Sequence, residues 1–401
     1  MTEVHWLNYK RYMIIFILLL SVQFLMPYVA RSEELPDKKI LILNSYHKGL
    51  AWTDDQTKGM EETLQSAGIQ ATLYTEYMDW KRSPTEENIS ITHHVIQSNY
   101  ANKKIDLIIT TDDAALKFAL QYRAELLGNA PIVFSGVNLD GVRKLVGTEP
   151  NITGVIEEVN PAGTIRLALH INPALKTVYV LFDHTESGRS TGKLVMDKLN
   201  AAYPGLSIEP LDQLSYDEIK NKAATLPADS ILLMTTYHSD KNGYLIETDK
   251  FTSELSKAST VPIYHLYEVG LDHGAFGGSM VSGKLQGVNA AQLAMKILGG
   301  MSPRDLSLVE DNTLRNVFDY NQLEHFHIPL SKLPKGSEVI NKPFSFYETY
   351  KALVLLVAGS FVLLIIFISI LLYYNRQIQK IKQNLAQMNE RFELATSGSG
   401  A

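Results

Sequence analysis

Cysteine does not occur anywhere in the 401 residues. Its absence removes disulfides, thiolate metal sites and cysteine nucleophiles together, and is compatible with an exported domain held by its core alone. Blocks of one charge are missing too. The 37 Lys and Arg are scattered among 43 Asp and Glu for a formal net charge of -6, which provides no basic stripe for nucleic acid. Gly277-Gly278 and Gly283 with Gly287 lack the Gly-Lys-Ser/Thr ending of a phosphate loop. No histidine follows His327, so no kinase phosphoacceptor lies beyond it, and no nucleotide-binding or cyclase motif occurs there. Asp54-Asp55, Asp112-Asp113 and Glu157-Glu158 are adjacent carboxylates, which on one helix or strand do not converge on a point; helix starts account for the two aspartate pairs. His93-His94 and His325-Phe326-His327 lack the i, i+4 spacing of a helical metal site. The expectation is a non-enzyme with no metal and no cofactor.

What is present is dominated by two apolar runs. Tyr12 to Ala30 follows Lys10 and Arg11 and reads as a signal peptide or an uncleaved signal anchor; Tyr28, a poor fit two positions before Ala30, favours the anchor. Ala352 to Tyr374 has 23 residues without a charge, which at about 1.5 Å per residue spans roughly 30 Å of hydrocarbon. Beyond it Ile378, Ile381, Leu385, Met388, Phe392 and Ala395 recur at spacings of 3, 4, 3, 4, 3, the seam of a dimeric coiled coil. Lys10 and Arg11 before the first run, with Arg376, Lys380 and Lys382 after the second, belong on the cytoplasmic side of the membrane. The expected layout is a cytoplasmic N-terminus over 1–11, a first span over 12–30, a periplasmic domain over 38–350, a second span over 352–374 and a cytoplasmic coiled-coil linker over 375–395. The chain would sit in a bacterial inner membrane as a homodimer through the second span and the coil.

The exported part alternates short β-rich runs with longer amphipathic helical runs, which is the α/β pattern of parallel sheets flanked by helices. Strands are predicted at Lys39–Asn44, Ala71–Tyr77, Asp106–Thr110, Ile132–Ser135, Thr177–Phe182, Ser207–Pro210, Ser230–Thr235 and Pro262–Leu266. The halves echo each other: KKILILNSYH with LKTVYVLFDHT, IITTDDA with LLMTTYHSD, and PIVFSGVNLDG with PIYHLYEVGLDHG, which suggests two similar lobes in tandem. Ligands in such sheets sit beyond the carboxyl ends of the strands. The candidate ligand-binding residues are therefore Ser45, Tyr46, His47, Thr111, Asp112, Asp113, Ser135, Gly136, Asn138, Asp183, Thr185, Ser187, Thr236, Tyr237, Tyr267 and Glu268, with His238 beside them. Hydroxyls, carboxylates and tyrosines together suit a small polar organic ligand, and an amino-acid-like zwitterion would use both the acids and the helix N-termini. Trp52, Tyr77 and Trp80 are read first as core or interface aromatics.

The stretches NSYHKGLAWTDD, YMDWKR, DLIITTDDAALKF, PIVFSGVN, ITGVIEE, GGSMVSGKLQG with AAQLAMKIL, NVFDYNQL and LPKGSEVINKPFSFYETYK resemble, in order from Lys38 to Lys351, the ABC transporter substrate-binding-like sensor domain. That family is a type I periplasmic binding protein relative found at the front of bacterial sensor kinases and diguanylate cyclases. The resemblance implies a two-lobed Venus-flytrap domain with three crossings, lobe one being 38–153 plus a return after about 274 and lobe two 154–273. NERFELATSGSGA, residues 389–401, resembles the first helix of a PAS domain. The function expected from this layout is ligand-driven lobe closure passed through the second span to the coil. The alternative is a membrane-tethered solute-binding protein of an ABC transporter.

Overall fold

The computed structural model describes residues 38–397 apart from 70, 148 and 311; the expected first span over 12–30 and the last residues of the PAS-like stretch lie outside the described residues. Contacts divide the chain into one unit ending at Ile340 and a second from Asn341 onward.

The first unit opens with β1 (Lys38–Asn44), α1 (Ala51–Ser66), β2 (Ala71–Tyr77), α2 (Glu86–Tyr100), β3 (Leu107–Thr111), α3 (Asp112–Leu126), β4 (Ile132–Val137), α4 (Leu139–Leu145) and β5 (Ile152–Ile156). The strands form a parallel sheet in the order β2-β1-β3-β4-β5. Side chains of successive residues leave a strand on opposite faces, and both faces here are covered. Ile40 and Ile42 therefore enter one cluster with Met60, Val133 and Ala290, while Leu41 and Leu43 enter another with Ile96, Phe118 and Phe134. Helix starts are set by side-chain caps: the Thr85 hydroxyl accepts from Asn88 N at 3.2 Å to begin α2.

The chain then builds α5 (Pro161–Ile171), β6 (Thr177–Leu181), α6 (Glu186–Ala202), β7 (Ser207–Pro210), α7 (Tyr216–Ala223), β8 (Ser230–Met234), α8 (Thr248–Ala258), β9 (Ile263–His265) and β10 (Gly277–Val281). A capping box begins α7, with the Glu218 carboxylate accepting from Ser215 N at 2.7 Å. After β10 come α9 (Gly283–Leu298), β11 (Leu314–Asp319), α10 (Tyr320–His325) and β12 (Glu338–Ile340). The second sheet has the order β12-β11-β10-β9-β8-β6-β7. Its run β7-β6-β8-β9-β10 repeats the order of the first sheet, and the sequence echoes fall on the equivalent pairs β1/β6, β3/β8 and β4/β9.

Sheet membership sets the lobe boundaries elsewhere than 153 and 274. β5 stays in the first sheet to Ile156, and β10 belongs wholly to the second sheet. The crossings are at Glu157 to Asn160, at Ser282, and between Val309 and Thr313. They are tied together: Ile156 N donates to Val309 O at 2.8 Å, and Ser282 N to Thr313 O at 2.9 Å. Helix α9 returns to the first lobe and lies against α1 so closely that a Cβ placed on Gly287 would fall 2.0 Å from Gln56 O.

The second unit holds a short helix, α11 (Phe346–Thr349), and α12 (Lys351–Ser397), 47 residues of uninterrupted helix. Among the described residues α12 is the one helix long and apolar enough to cross a membrane, judged by length and composition. α12 is one helix that carries both the apolar run and the heptad residues Ile378, Ile381, Leu385 and Met388, all exposed.

Candidate ligand-binding cleft

Several residues expected to meet ligand are used up in holding the carboxyl ends of the strands. The Ser45 hydroxyl donates to Thr111 O at 2.6 Å and accepts from Ala115 N at 2.8 Å, joining β1 to the start of α3. Thr111 donates to the Asn44 side-chain carbonyl at 3.0 Å, and the Ser135 hydroxyl donates to Gln56 Oε1. Asp183 accepts from Thr185 N at 2.9 Å and from His238 N at 2.8 Å, so its carboxylate clamps the end of β6 to the end of β8. All four are fully buried. Asn138 and Thr185 cap α4 and α6, and Ser187 is exposed in the first turn of α6. Tyr237 lies in the core of the second lobe, stacked on Phe251 with ring centroids 3.9 Å apart. These positions follow strands as the pattern requires, but short polar side chains there have nearby backbone groups to satisfy, and that demand is met first.

Of the remaining candidates, Asp112, Gly136, Tyr46 and Tyr267 come together from both lobes. Asp112 begins α3 with φ of 61°, a left-handed conformation that aspartate tolerates. Its side chain does not cap the helix; Oδ1 accepts from Trp52 Nε1 at 2.9 Å, while Oδ2 is buried without a partner. Trp52 meets Tyr267 edge to face, with centroids 5.6 Å apart, and the Tyr267 hydroxyl donates to Glu157 Oε1 at 2.5 Å. One aromatic corner thus joins Asp112 of the first lobe to Glu157 at the first crossing. The floor beside it is closed by Gly136, where β4 is irregular against β5 and φ is 72°. A Cβ there would lie 2.7 Å from Asp112 Oδ1 and 3.3 Å from Gln56 Nε2, and that amide nitrogen is likewise buried without a partner. Gly136 N donates to Gln286 of α9 at 3.3 Å.

Charge is concentrated here. Burial lifts the Asp112 carboxyl to about 7 against the hydrogen bond from Trp52, with neighbouring Asp113 adding to the rise. Burial and then the Asp112 charge lift Glu157 to about 8. Lys81, in the loop after β2, lies 4.9 Å from the centroid of the Tyr46 ring. Burial lowers its pKa although Asp183, Asp112, Glu247 and Glu157 all favour its charged form. Burial raises Tyr46, whose hydroxyl also feels Asp112, Asp113, Glu157 and Asp183. Burial, then Lys81 and His47, hold His238 well below its ordinary value. His47 lies 3.4 Å from Asp79, Thr236 is half-buried after β8, and Glu268 is bound by Arg315 at 2.6 Å. Lys81, Glu157, Trp52 and Gln56 were not among the sequence candidates for the site. The stretch YMDWKR carried the signal for Lys81 because it follows β2, and Glu157 follows β5, a strand absent from the expected set.

Buried and half-buried acids, a half-buried ammonium and aromatic walls between two lobes can hold a small polar molecule; among the described residues no three His, Cys, Asp or Glu are grouped to hold a metal. No curated protein matches the sequence. Solved structures share the fold at low identity. A ligand-free, open substrate-binding protein with adhesive properties from Clostridium difficile aligns with TM-score 0.58 and 16% identity over 76% of this chain and all (100%) of the other. The ABC domain in complex with L-Trp from Streptococcus pneumoniae aligns with TM-score 0.55 and 18% identity over 76% of this chain and 100% of that one. A conserved domain protein from Vibrio cholerae gives 0.55 and 16% over 75% and 99%. The family profile described as ABC transporter substrate binding protein matches residues 47–332, most of the first unit and more than half of the sequence, and the chain belongs to that family.

Proposed function

We propose that the chain is the extracytoplasmic ligand-binding and transmembrane part of a bacterial signalling receptor, in which closure of the two lobes on a small amino-acid-like molecule is passed into α12. The observation that carries this reading is the continuity of α12, which runs without a break from the apolar stretch through the heptad residues. A tether has no use for a helix that continues as an amphipathic seam, whereas a dimeric receptor does. Tyr350 at one end of the apolar run and Tyr373 and Tyr374 at the other are exposed, as in aromatic belts at membrane interfaces. β12, the last strand of the first unit, belongs to the second lobe's sheet, and β1 to the first lobe's sheet, so the two ends of the domain leave from different lobes. Ligand acts only through its differential affinity for open and closed forms, and moving that equilibrium tenfold takes about 1.4 kcal/mol.

The test uses the full chain in lipid nanodiscs with one cysteine introduced at Leu385, where the native sequence offers no competing thiol. Oxidative cross-linking should yield dimer, at a rate that changes when a bound amino acid stabilises the first unit. Cross-linking that never forms, or that ignores saturating ligand, refutes signalling through α12. The second reading, a tethered solute-binding protein, is favoured by the family to which the chain belongs. Co-purification with an ABC permease, together with ligand-blind cross-linking, would establish it instead.

A further inference from the structure

We propose that Asp112 and Glu157 form a cation-receiving pair that takes an ammonium group of the ligand and gives up protons to solvent as it does so. The inference rests on reading the cleft as a ligand site and specifies which end of the ligand it recognises.

Three observations converge. Asp112 is 3% exposed, one of its oxygens is engaged by Trp52, and the other is buried without a hydrogen-bond partner. A buried carboxylate oxygen left in that state is costly, and a charged donor recovers the most. Glu157 is approached through the same aromatic corner: Trp52 touches Tyr267, and Tyr267 donates to one Glu157 oxygen. The π face of an aromatic ring attracts a cation, and the Tyr46 ring beside this corner already receives Lys81 at 4.9 Å from its centroid. Finally, the protein's own cation does not serve the pair. Lys81 feels both carboxylates, yet no described carboxylate lies within 4.0 Å of its Nζ, which sits beside the Tyr46 ring.

The groups that act on the pair are Asp113 of α3, Lys81 after β2, Tyr46 after β1 and Tyr267 after β9; around them, Asp183 after β6 acts on Tyr46 and Lys81, Glu247 on Lys81, and Lys81 and His47 on His238 after β8. With one lysine against several acids, burial leaves Asp112 and Glu157 protonated near neutrality, at about 7 and about 8. An ammonium binding between them requires the ionised forms. Each carboxyl that ionises sends its proton to solvent while the ligand brings its own charge. Amine affinity therefore rises with pH from 6 to 8.5, where an aliphatic amine stays protonated, and proton release on binding is largest near pH 6, below both values, and fades as pH rises through them.

The experiment titrates the full chain with phenethylamine, putrescine, L-phenylalanine, 3-phenylpropionate, succinate and D-xylose, by thermal shift and calorimetry. The expected result is binding of amine-bearing probes, at least tenfold tighter at pH 8.5 than at pH 6, with proton uptake by buffers of differing ionisation enthalpy. Asp112→Asn, which keeps the left-handed backbone and the Trp52 contact, and Glu157→Gln, which keeps the Tyr267 contact, should each weaken amines tenfold or more while unliganded melting is retained. Should Asp112→Asn fail to fold, Glu157→Gln alone decides. Acids or xylose binding while every amine fails overturns the inference and leaves the cleft a ligand site. Amine binding that ignores pH and both variants overturns it as well. Silence from every probe overturns the inference and the ligand-site reading together.

Discussion

Replacing Gly287 by alanine tests whether the return of α9 to the first lobe depends on contact between two helix backbones. An added Cβ would lie 2.0 Å from Gln56 O, 2.8 Å from its carbonyl carbon and 3.0 Å from Met60 N, all main-chain atoms of α1. Flexible side chains can yield to such an intrusion, but a helix backbone moves only as a whole. Relief requires α1 and α9 to separate, loosening Met60, Ala290, Ala291 and Ala294, all fully buried. Overpacking of this kind costs about 1–3 kcal/mol, and this case belongs at the upper end. The better helix propensity of alanine offsets about 1 kcal/mol, leaving a net loss of about 2 kcal/mol. With about 2–4 °C per kcal/mol for a domain above 150 residues, melting of the first unit should fall by about 4–8 °C. The assay is thermal and urea unfolding of the full chain. Gly205→Ala is the control, since nothing lies within 4 Å of its added Cβ. A Gly287→Ala variant as stable as Gly205→Ala would refute the closeness of α1 and α9. Because Gln56 also binds Ser135 under Asp112, ligand binding should weaken together with stability.

Gly136→Ala places a Cβ 2.7 Å from Asp112 Oδ1 on a backbone with φ of 72°. It should destabilise by about 1–3 kcal/mol and weaken amine binding at least tenfold; calorimetry showing unchanged affinity would dissociate Gly136 from the site. Tyr237→Phe removes a hydroxyl that is buried without a partner and keeps the stack on Phe251. It should leave binding unchanged and stability equal or up to about 1 kcal/mol higher, whereas lost binding would return Tyr237 to the ligand. For pH, the folded-state values of Asp112 and Glu157, about 7 and about 8, lie above their ordinary 3.8 and 4.5. The folded state then binds more protons, so this contribution to stability is fully present below about pH 4 and is lost as pH rises through 7 to 8. Unliganded wild type should lose about 3 °C or more relative to Asp112→Asn/Glu157→Gln between pH 5 and 8.5; parallel melting curves would refute the raised values.

Much of the fold is legible in the order of residues. Eight runs such as KILILN and SILLMT, short and, SIEP apart, rich in β-branched residues, leucine or aromatics, are each a strand in the structure. The strands that escaped, β5, β10, β11 and β12, lack that signature. ITGVI and GGSMV carry glycines, LRNVFD is polar at its start, and EVI has three residues. Local composition cannot mark such segments; they are strands because a sheet edge or a crossing demands pairing there.

The site divides along the same line. Sequence order alone determined which residues stand after strands, because the carboxyl ends of a parallel sheet collect on one side. It also determined that α12 would be apolar and then periodic. Only tertiary structure decided which of those residues keep a free polar atom for a ligand. Ser45, Thr111, Ser135 and Asp183 are consumed by backbone and side-chain partners up to 79 residues away, a distance over which no local pattern reports. Asp112 and Glu157 belong to separate adjacent pairs that looked inert in the chain, and they gain their character from Trp52 and Tyr267 closing over them. Burial and cross-lobe contact set the pKa and the partner of a carboxylate, and neither quantity exists until the two lobes have folded around it.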